Sequence, residues 1–233
     1  MIKDTIIDEI KKYQNPDFAA HHAKFFQTHK GGYGEGDLFY GLKVPDVRKI
    51  VKLFYKDASL DDVEELIKNP YHEVRLCGLF VMVAKFKKVS EEEKKLLVKI
   101  YLNNLEYINN WDLVDLSAPS VLGEYWFDKD MNDLWKLANS GHLWSERISV
   151  LASFGFIKKG SYQTTLELCE FFLNHRHDLI HKATGWMLRE IGKRDLTQLL
   201  KFLDKYHKVM PRTMLRYSIE KLPQEQRKFY MAK

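Results

Sequence analysis

The side chains that could do chemistry in this sequence gather around one acidic residue, Asp115. Trp111 precedes it by four residues and Asp112 by three. Residues three and four apart share one side of an α-helix, so a carboxylate and an indole would face the same way here. Asp112 is typical of an acid that caps a helix or meets its dipole. Asp115 lies a turn deeper and needs solvent or a partner, for which Arg147 is the candidate.

Positive side chains recur at helical spacing later in the chain. A basic stripe that contains an indole is predicted from four residues at i, i+4, i+7 and i+11: Lys182, Trp186, Arg189 and Lys193. Arg212 and Arg216 are again four residues apart, and Arg75 stands at the start of the series. A surface lined by such residues around one acid would suit a polyanion.

Structural explanations compete with each of these interpretations. A tryptophan near a helix start is often a packing residue, and a basic stripe is often a solvated surface. A buried pair of Asp115 and Arg147 could also be merely structural. Spacing alone leaves these alternatives open.

Composition bounds the class of protein. The 233 residues carry a net charge of +5, with 45% hydrophobic and 13% aromatic residues, which is globular rather than disordered. Residues 1–139 hold 20 basic and 23 acidic side chains, whereas residues 140–233 hold 17 and 9. No apolar stretch approaches the roughly 20 residues of a membrane span, and no secretory signal is evident. With only Cys77 and Cys169, a disulfide scaffold is excluded and a cytoplasmic location is expected.

Nearly every segment has the periodicity of an α-helix, and we expect twelve to fourteen helices. N-caps are predicted at four residues: Ser59, Ser161, Asp178 and Asp195. Ser90 and Glu93 form a predicted capping box. The exception is 29–41, which contains five glycines and is predicted to be a loop.

A repeat of about 35 residues organises these helices. Five positions mark it at steps of 36, 36, 35 and 34 residues: Arg75, Trp111, Arg147, Lys182 and Arg216. Each lies early in an apolar helix that a second, amphipathic helix follows. This pattern predicts an all-α chain, an α-solenoid of HEAT-like helical-pair repeats, in which the recurring positions line one concave basic cleft.

Six segments then resemble the AlkD-type DNA alkylation repair glycosylases, a family of HEAT-like repeat proteins. They are G-L-K-V-P-D-V-R-K at 41–49, Y-H-E-V-R-L at 71–76, N-W-D-L-V-D-L at 110–116, L-W-S-E-R-I at 143–148, H-K-A-T-G-W-M-L-R-E at 181–190 and M-P-R-T-M-L-R-Y-S-I-E-K-L at 210–222. Each motif is weak alone, but together they are specific. The resemblance implies a single domain over residues 1–233.

The resemblance also implies roles for individual residues. The family's catalytic aspartate falls on Asp115, its two active-site tryptophans on Trp111 and Trp186, and the arginine that supports the aspartate on Arg147. A backbone-contacting arginine falls on Arg189, and the DNA-contacting helix on the segment with three cations: Lys43, Arg48 and Lys52. A tyrosine of the family is replaced by Phe25 or Phe26, and the loop G-G-Y-G-E-G-D belongs to a longer variant.

These correspondences imply a monofunctional DNA glycosylase that removes cationic N3- or N7-alkylated purines from duplex DNA. The family acts with little base flipping, so no deep base pocket is expected. The expected cations at the DNA are those named above together with Arg75, Lys182, Arg212 and Arg216. A non-catalytic protein that binds distorted or branched DNA is the alternative, and a protein-binding scaffold is a third.

No cofactor or metal is expected. His177 and His181 are four residues apart, but no cysteine lies near enough to complete a zinc site. The glycine loop lacks the G-x-x-x-x-G-K-[ST] pattern of a nucleotide-binding loop. Both cysteines are predicted to be small core residues. We expect a monomer that binds double-stranded DNA with alkylated bases and does not bind membranes.

Overall fold

The structure is a computed structural model that describes residues 1–232 of the chain, and these residues are almost entirely helical. The fourteen α-helices among them are α1 (Ile2–Lys12), α2 (Pro16–Phe25), α3 (Val44–Phe54), α4 (Leu60–Ile67), α5 (His72–Phe86), α6 (Glu91–Asn103), α7 (Trp111–Trp126), α8 (Asn132–Ala138), α9 (Leu143–Lys158), α10 (Gln163–Phe171), α11 (Asp178–Gly192), α12 (Leu196–Tyr206), α13 (Arg212–Ser218) and α14 (Gln224–Met231). The prediction of an all-α chain with twelve to fourteen helices is confirmed.

The predicted repeat appears as five consecutive helical pairs. Its five marker positions fall in the first helix of each pair, namely α5, α7, α9, α11 and α13, and a second helix follows each one. α5 and α9 are buried along most of their length, as helices covered by neighbours must be. The pairs are compatible with an α-solenoid of helical repeats.

Local capping signals predicted several helix starts. The structure confirms three of the predicted caps: Ser59 at α4, Ser90 with Glu93 at α6, and Asp195 at α12. The other two predictions miss by one residue. Tyr162 rather than Ser161 precedes α10, and Asp178 is already inside α11, because the Nδ1 of His177 accepts the Leu179 N–H at 3.1 Å.

The chain divides into two compact units, Met1–Val121 and Leu122–Lys233. In the second, helices α10 to α14 enclose a core around Leu188, Leu203 and Met214. Cys77 and Cys169 are buried free thiols, one in each unit, so the prediction of core cysteines is confirmed. None of the helices described in residues 1–232 is long and apolar enough to cross a membrane. A single domain over 1–233 stays a prediction.

Gly185 lies where α11 approaches α13 closely. A Cβ at this position would lie 2.5 Å from the Met214 carbonyl oxygen and 2.6 Å from the Tyr217 Cβ. A methyl group therefore requires a backbone shift, and Gly185→Ala is expected to lower the free energy of unfolding by about 2 kcal/mol. This loss is net of the better helix propensity of alanine. Urea denaturation followed by circular dichroism measures it.

Gly192→Ala is the matched control on the same helix. A Cβ there would meet Leu199, nearest at the Cδ2 end of a side chain that can rotate away. We expect a change of less than about 1 kcal/mol. Equal destabilisation by the two variants would contradict a rigid contact at Gly185.

Candidate functional site

The first two turns of α7 carry the predicted carboxylate and indole. Trp111 is the first residue of the helix and Asp115 lies one turn later, and both are half-buried. Pro119, a further turn on, has no N–H to donate to the Asp115 carbonyl, which interrupts the helical hydrogen-bond ladder. Burial raises the pKa of the Tyr101 phenol, and the negative charge of Asp115 raises it further. Asp115 therefore lies within the helix, too far from its start to act as a cap.

Trp111 packs on two phenylalanines from the end of α2. The Phe26 ring stacks on the indole, with centroids 5.3 Å apart and planes 25° apart. Phe25 meets it edge-on at 5.9 Å and remains 54% exposed. The group presents aromatic surface to solvent, so Trp111 is not simply a core residue. Phe25 and Phe26, the two candidates for the position at which the resemblance implies a tyrosine, therefore both border Trp111.

The glycine-rich segment between α2 and α3 is a loop, as predicted, and it packs against the start of α7. Its tip is closed by a hydrogen bond from the Gly31 N–H to Glu35 Oε2 at 2.7 Å. A Cβ on Gly34 would lie 2.3 Å from the Phe26 carbonyl oxygen and 3.1 Å from Asn110 Nδ2. Only a glycine admits so close an approach.

Arg75, predicted as a DNA-binding cation, lies inside the first unit and is only 4% exposed. Its guanidinium forms an ion pair with Asp37 of the loop and donates to the Asn69 and Pro70 carbonyls at 3.1 Å. Burial raises the pKa of Asp37, but the hydrogen bond from His72 and the charge of Arg75 outweigh it, so this pKa lies below its usual range. With both Nη atoms engaged internally, Arg75 supports the loop, and this geometry does not favour the predicted phosphate contact.

Two of the predicted cations on α3 share a pocket of about 300 Å³ with α5. Arg48 lies over the Phe80 ring, 4.1 Å from its centroid, and Lys52 lines the same pocket. Lys87, just beyond α5, adds a third cation that sequence analysis missed because it lies outside the repeat positions. No carboxylate is among the lining residues, so an external anion would relieve their mutual repulsion. Lys43, the N-cap of α3, is exposed and lies outside the lining.

Arg147 belongs to the second unit, where α9 holds it at 5% exposure. Its Nη1 donates a hydrogen bond to the Leu179 carbonyl at the start of α11. Trp144, three residues earlier, is equally buried. Asp115 lies in the first unit, and its predicted contact with Arg147 stays a prediction.

The predicted basic stripe of α11 is interleaved with carboxylates. Lys182 pairs with Asp178 at 2.8 Å, and Arg189 pairs with Glu220, which follows α13. These acids neutralise much of the charge that helical spacing alone assigned to the stripe. A polyanion that binds this surface would therefore have to displace the carboxylates from their paired cations.

Trp186 lies half-buried within the same stripe. Its Nε1–H donates to Glu190 Oε1 at 3.3 Å, and its ring lies 5.8 Å from that of Phe154. Burial raises the pKa of Glu190, while hydrogen bonds from Lys193 and Arg194 lower it more, so the net pKa is below its usual value. An ionised carboxylate therefore fixes the indole edge of Trp186.

A second cationic pocket, of about 520 Å³, lies between α13 and α14. Arg216 lines it, together with Arg227 and Lys228, which sequence analysis missed because they follow the last repeat position. Arg212, one turn before Arg216, instead donates from both Nη atoms to the Met231 carbonyl at 3.2 Å.

The histidines before and within α11 have identifiable protein partners. The Nε2 of His175 lies 3.0 Å from Glu146 Oε2, and His177 caps the helix. The Nε2 of His181 contacts the carbonyl oxygen of His175. In residues 1–232, no group of three or more His, Cys, Asp or Glu side chains could hold a metal ion.

Comparisons with known proteins agree with this architecture. No curated protein matches the chain. A solved structure described as a predicted DNA alkylation repair enzyme from Enterococcus faecalis shares the fold, with a TM-score of 0.69 and 16% identity over 91% of this chain and 97% of that one. The model of the DNA alkylation repair enzyme family matches residues 6–222, a range that contains the candidate residues of both units. The chain therefore belongs to the DNA alkylation repair enzyme family.

Proposed function

We propose that this protein is a monofunctional DNA glycosylase acting in base excision repair. Its substrates are cationic N3- and N7-alkylated purines in duplex DNA, such as 3-methyladenine and 7-methylguanine. The observation that carries the proposal is the pairing on α7 of a half-buried carboxylate, Asp115, with a half-buried indole, Trp111, one turn apart in a chain of the repair family.

The chemistry of such a substrate suits so small a set of groups. An N7-alkylated purine already carries a positive charge, so it leaves as a neutral base with the electron pair of the glycosidic bond and needs no general acid. Positive charge then develops on the sugar, and the Asp115 carboxylate stabilises it electrostatically. The same carboxylate orients a water molecule, whose oxygen bonds to C1′ and whose proton passes to solvent. The products are the free base and an abasic site.

The remaining predicted residues support this step. The faces of Trp111 and Trp186 are suited to the cationic sugar, an attraction of about 0.5–2 kcal/mol for each ring. Arg147 would hold the Asp115 carboxylate in place. Neither role needs a deep base pocket, a cofactor or a metal, and we expect the protein to act as a monomer in the cytoplasm.

Phosphate binding in this proposal relies most on cations that the structure leaves exposed. They are Lys43, Arg48 and Lys52 on α3 with the adjoining Lys87, and Arg216 on α13. Lys182, Arg189 and Arg212 are engaged with protein groups and would exchange these for phosphates. Contacts of this kind fix the register of the DNA without reading its sequence, which suits an enzyme that must act anywhere.

DNA affinity is expected to fall steeply with salt. If about four phosphates are neutralised, raising salt from 50 to 200 mM weakens binding by about 100-fold, because each contact releases counterions. Fluorescence anisotropy with a labelled undamaged duplex measures the slope. A binding constant that stays flat over this range would contradict the phosphate contacts.

Single-turnover incubation with a duplex that contains one 7-methylguanine tests the function. We expect free 7-methylguanine by chromatography and strand cleavage only after alkali treatment, since a monofunctional glycosylase has no lyase step. Cleavage without alkali would contradict the monofunctional assignment. Tight duplex binding with no base release would instead favour a non-catalytic protein that recognises distorted or branched DNA.

A further inference from the structure

A buried histidine joins the glycine-rich loop to the helix that carries Trp111. His72 is the first residue of α5 and is only 2% exposed. Its Nδ1 lies 3.0 Å from Asp37 Oδ2, in the loop, and its Nε2 lies 2.9 Å from Asp112 Oδ2, in the first turn of α7. One imidazole ring thus connects three segments of the first unit.

Both ring nitrogens of His72 must carry a proton to make these two bonds. An ionised carboxylate only accepts hydrogen bonds, and a neutral imidazole has a single N–H. Burial alone lowers the pKa of His72, but the charge and hydrogen bond of Asp112 and the hydrogen bond of Asp37 raise it to about 9. The ring is therefore an imidazolium at neutral pH.

Uncharged rings and a few charged groups complete the surroundings of His72. The rings of Phe26 and Phe39 lie 4.9 and 4.8 Å from it, centroid to centroid. The titratable and charged groups around it are Asp37 of the loop, Asp112 of α7, Arg75 of α5, and next to these the pair formed by His22 of α2 and Glu73 of α5. Of these, Arg75 opposes the proton on His72.

The same cluster holds Trp111 by two routes. The Trp111 N–H donates to Asn110 Oδ1 at 2.9 Å, and the Asn110 Nδ2 reaches Asp37 Oδ2 at 3.4 Å. The Phe26 ring contacts both the His72 ring, at 4.9 Å, and the indole, at 5.3 Å. Movement of the loop away from α7 would therefore remove the Asp37 contact that supports Asn110 and loosen the ring packing around Trp111.

We propose that His72, as an imidazolium, is a positioning residue that clamps the loop to α7 and so fixes the Trp111 indole for the damaged nucleotide. The inference rests on the proposed function only for what Trp111 does once it is positioned. When His72 loses a proton, one N–H remains for two carboxylates and one side of the clamp opens. Because the pKa is raised from 6.5 to about 9, the stabilisation is complete below pH 6.5 and is lost as pH rises through 9.

Asp112→Asn separates the charge of this clamp from its geometry. The asparagine Oδ1 can still accept the Leu113 N–H, and its Nδ2 can donate to a neutral His72 Nε2, while the His72 Nδ1–H donates to Asp37. Every hydrogen bond of the clamp is then made with a single proton on the His72 ring. The variant should therefore keep the position of Trp111 at pH 7 and also above pH 9.

Two spectroscopic measurements test the clamp directly. Imidazole nitrogen NMR should show a doubly protonated His72 in the wild type at pH 7. The Trp111 fluorescence, taken as the difference between each protein and its Trp111→Phe counterpart, should change with the same midpoint as the His72 titration. In Asp112→Asn it should stay constant between pH 7 and 10.

Base release provides the functional measurement. Relative to Asp112→Asn on the same duplex at the same pH, wild-type activity should fall about tenfold for each pH unit above the His72 pKa, because any titration of the substrate is common to both proteins. A neutral His72 at pH 7 would overturn the clamp. Trp111 fluorescence that does not change with the His72 titration would also overturn it. Both outcomes can be read from the wild type and its Trp111→Phe counterpart if Asp112→Asn does not fold, and neither depends on glycosylase activity.

Discussion

Replacement of Asp115 by asparagine is expected to slow the release of 7-methylguanine from duplex DNA by at least about 100-fold. The substitution keeps the size and hydrogen-bonding reach of the side chain but removes its negative charge. Opposite unit charges about 4 Å apart attract by about 4 kcal/mol at an effective dielectric constant of 20, which corresponds to nearly a thousandfold in rate. Single-turnover assays with excess protein measure the chemical step free of product release.

DNA binding provides the internal check on this variant. Losing a negative charge beside a polyanion should leave duplex affinity unchanged or slightly tighter, so the defect should appear in the rate alone. Asp133→Asn is the matched control, because Asp133 is an exposed acid that pairs with Lys136 on the surface of α8. We expect it to release base at the wild-type rate. Equal release by the wild type and Asp115→Asn would remove the catalytic role of Asp115.

Truncation of Glu73 is expected to have the largest effect on stability. Its carboxylate is 2% exposed and accepts the backbone N–H groups of Tyr40, Gly41 and Leu42 at 2.8–3.1 Å. Glu73→Ala leaves these donors buried without an acceptor and His22 without its partner at 3.7 Å. The loss in the free energy of unfolding should be about 3–5 kcal/mol, measured by urea denaturation.

The pH dependence of this loss has a definite sign. Burial raises the pKa of Glu73, but the nearby His22 ring and the hydrogen bonds from the backbone lower it more, so the folded pKa lies below the ordinary value of 4.5. The stabilisation from ionised Glu73 is therefore present above pH 4.5 and is lost as pH falls through the folded pKa. The gap between wild type and Glu73→Ala should narrow in acid. Glu65→Ala, which breaks the exposed pair with Lys3, should change stability by less than about 1 kcal/mol.

Helices, helical pairs and most helix starts could be predicted from the sequence because they depend on neighbours within a few residues. Apolar periodicity and short capping motifs are local signals, and α4, α6 and α12 begin where Ser59, Ser90 and Asp195 predict. At α11 the cap is His177 rather than the predicted Asp178, because the His177 Nδ1 accepts the Leu179 N–H at 3.1 Å. General capping preferences did not predict this contact, since they favour aspartate.

The candidate site, too, could be predicted from the sequence only where it depends on residues close together in the chain. Spacing correctly placed Trp111 and Asp115 one turn apart on one helix. The same rule predicts a pair between Lys182 and Asp178, four residues earlier, but the predicted basic stripe did not include this acid. Spacing held no information about Asp37, which meets Arg75 across 38 residues and changes that arginine from a surface cation to a buried one. Helical periodicity identifies a shared face but not the segment that covers it.

The imidazolium at the start of α5 also constrains how the first unit can fold. Its two acids lie 35 residues before it and 40 residues after it, so both long closures must be complete before the charges compensate one another. An intermediate that has brought only two of the three segments together buries a charge with too few partners, which raises its free energy. Partly folded forms are thereby less populated. The residues that position the Trp111 indole therefore also make the folding of the first unit more cooperative.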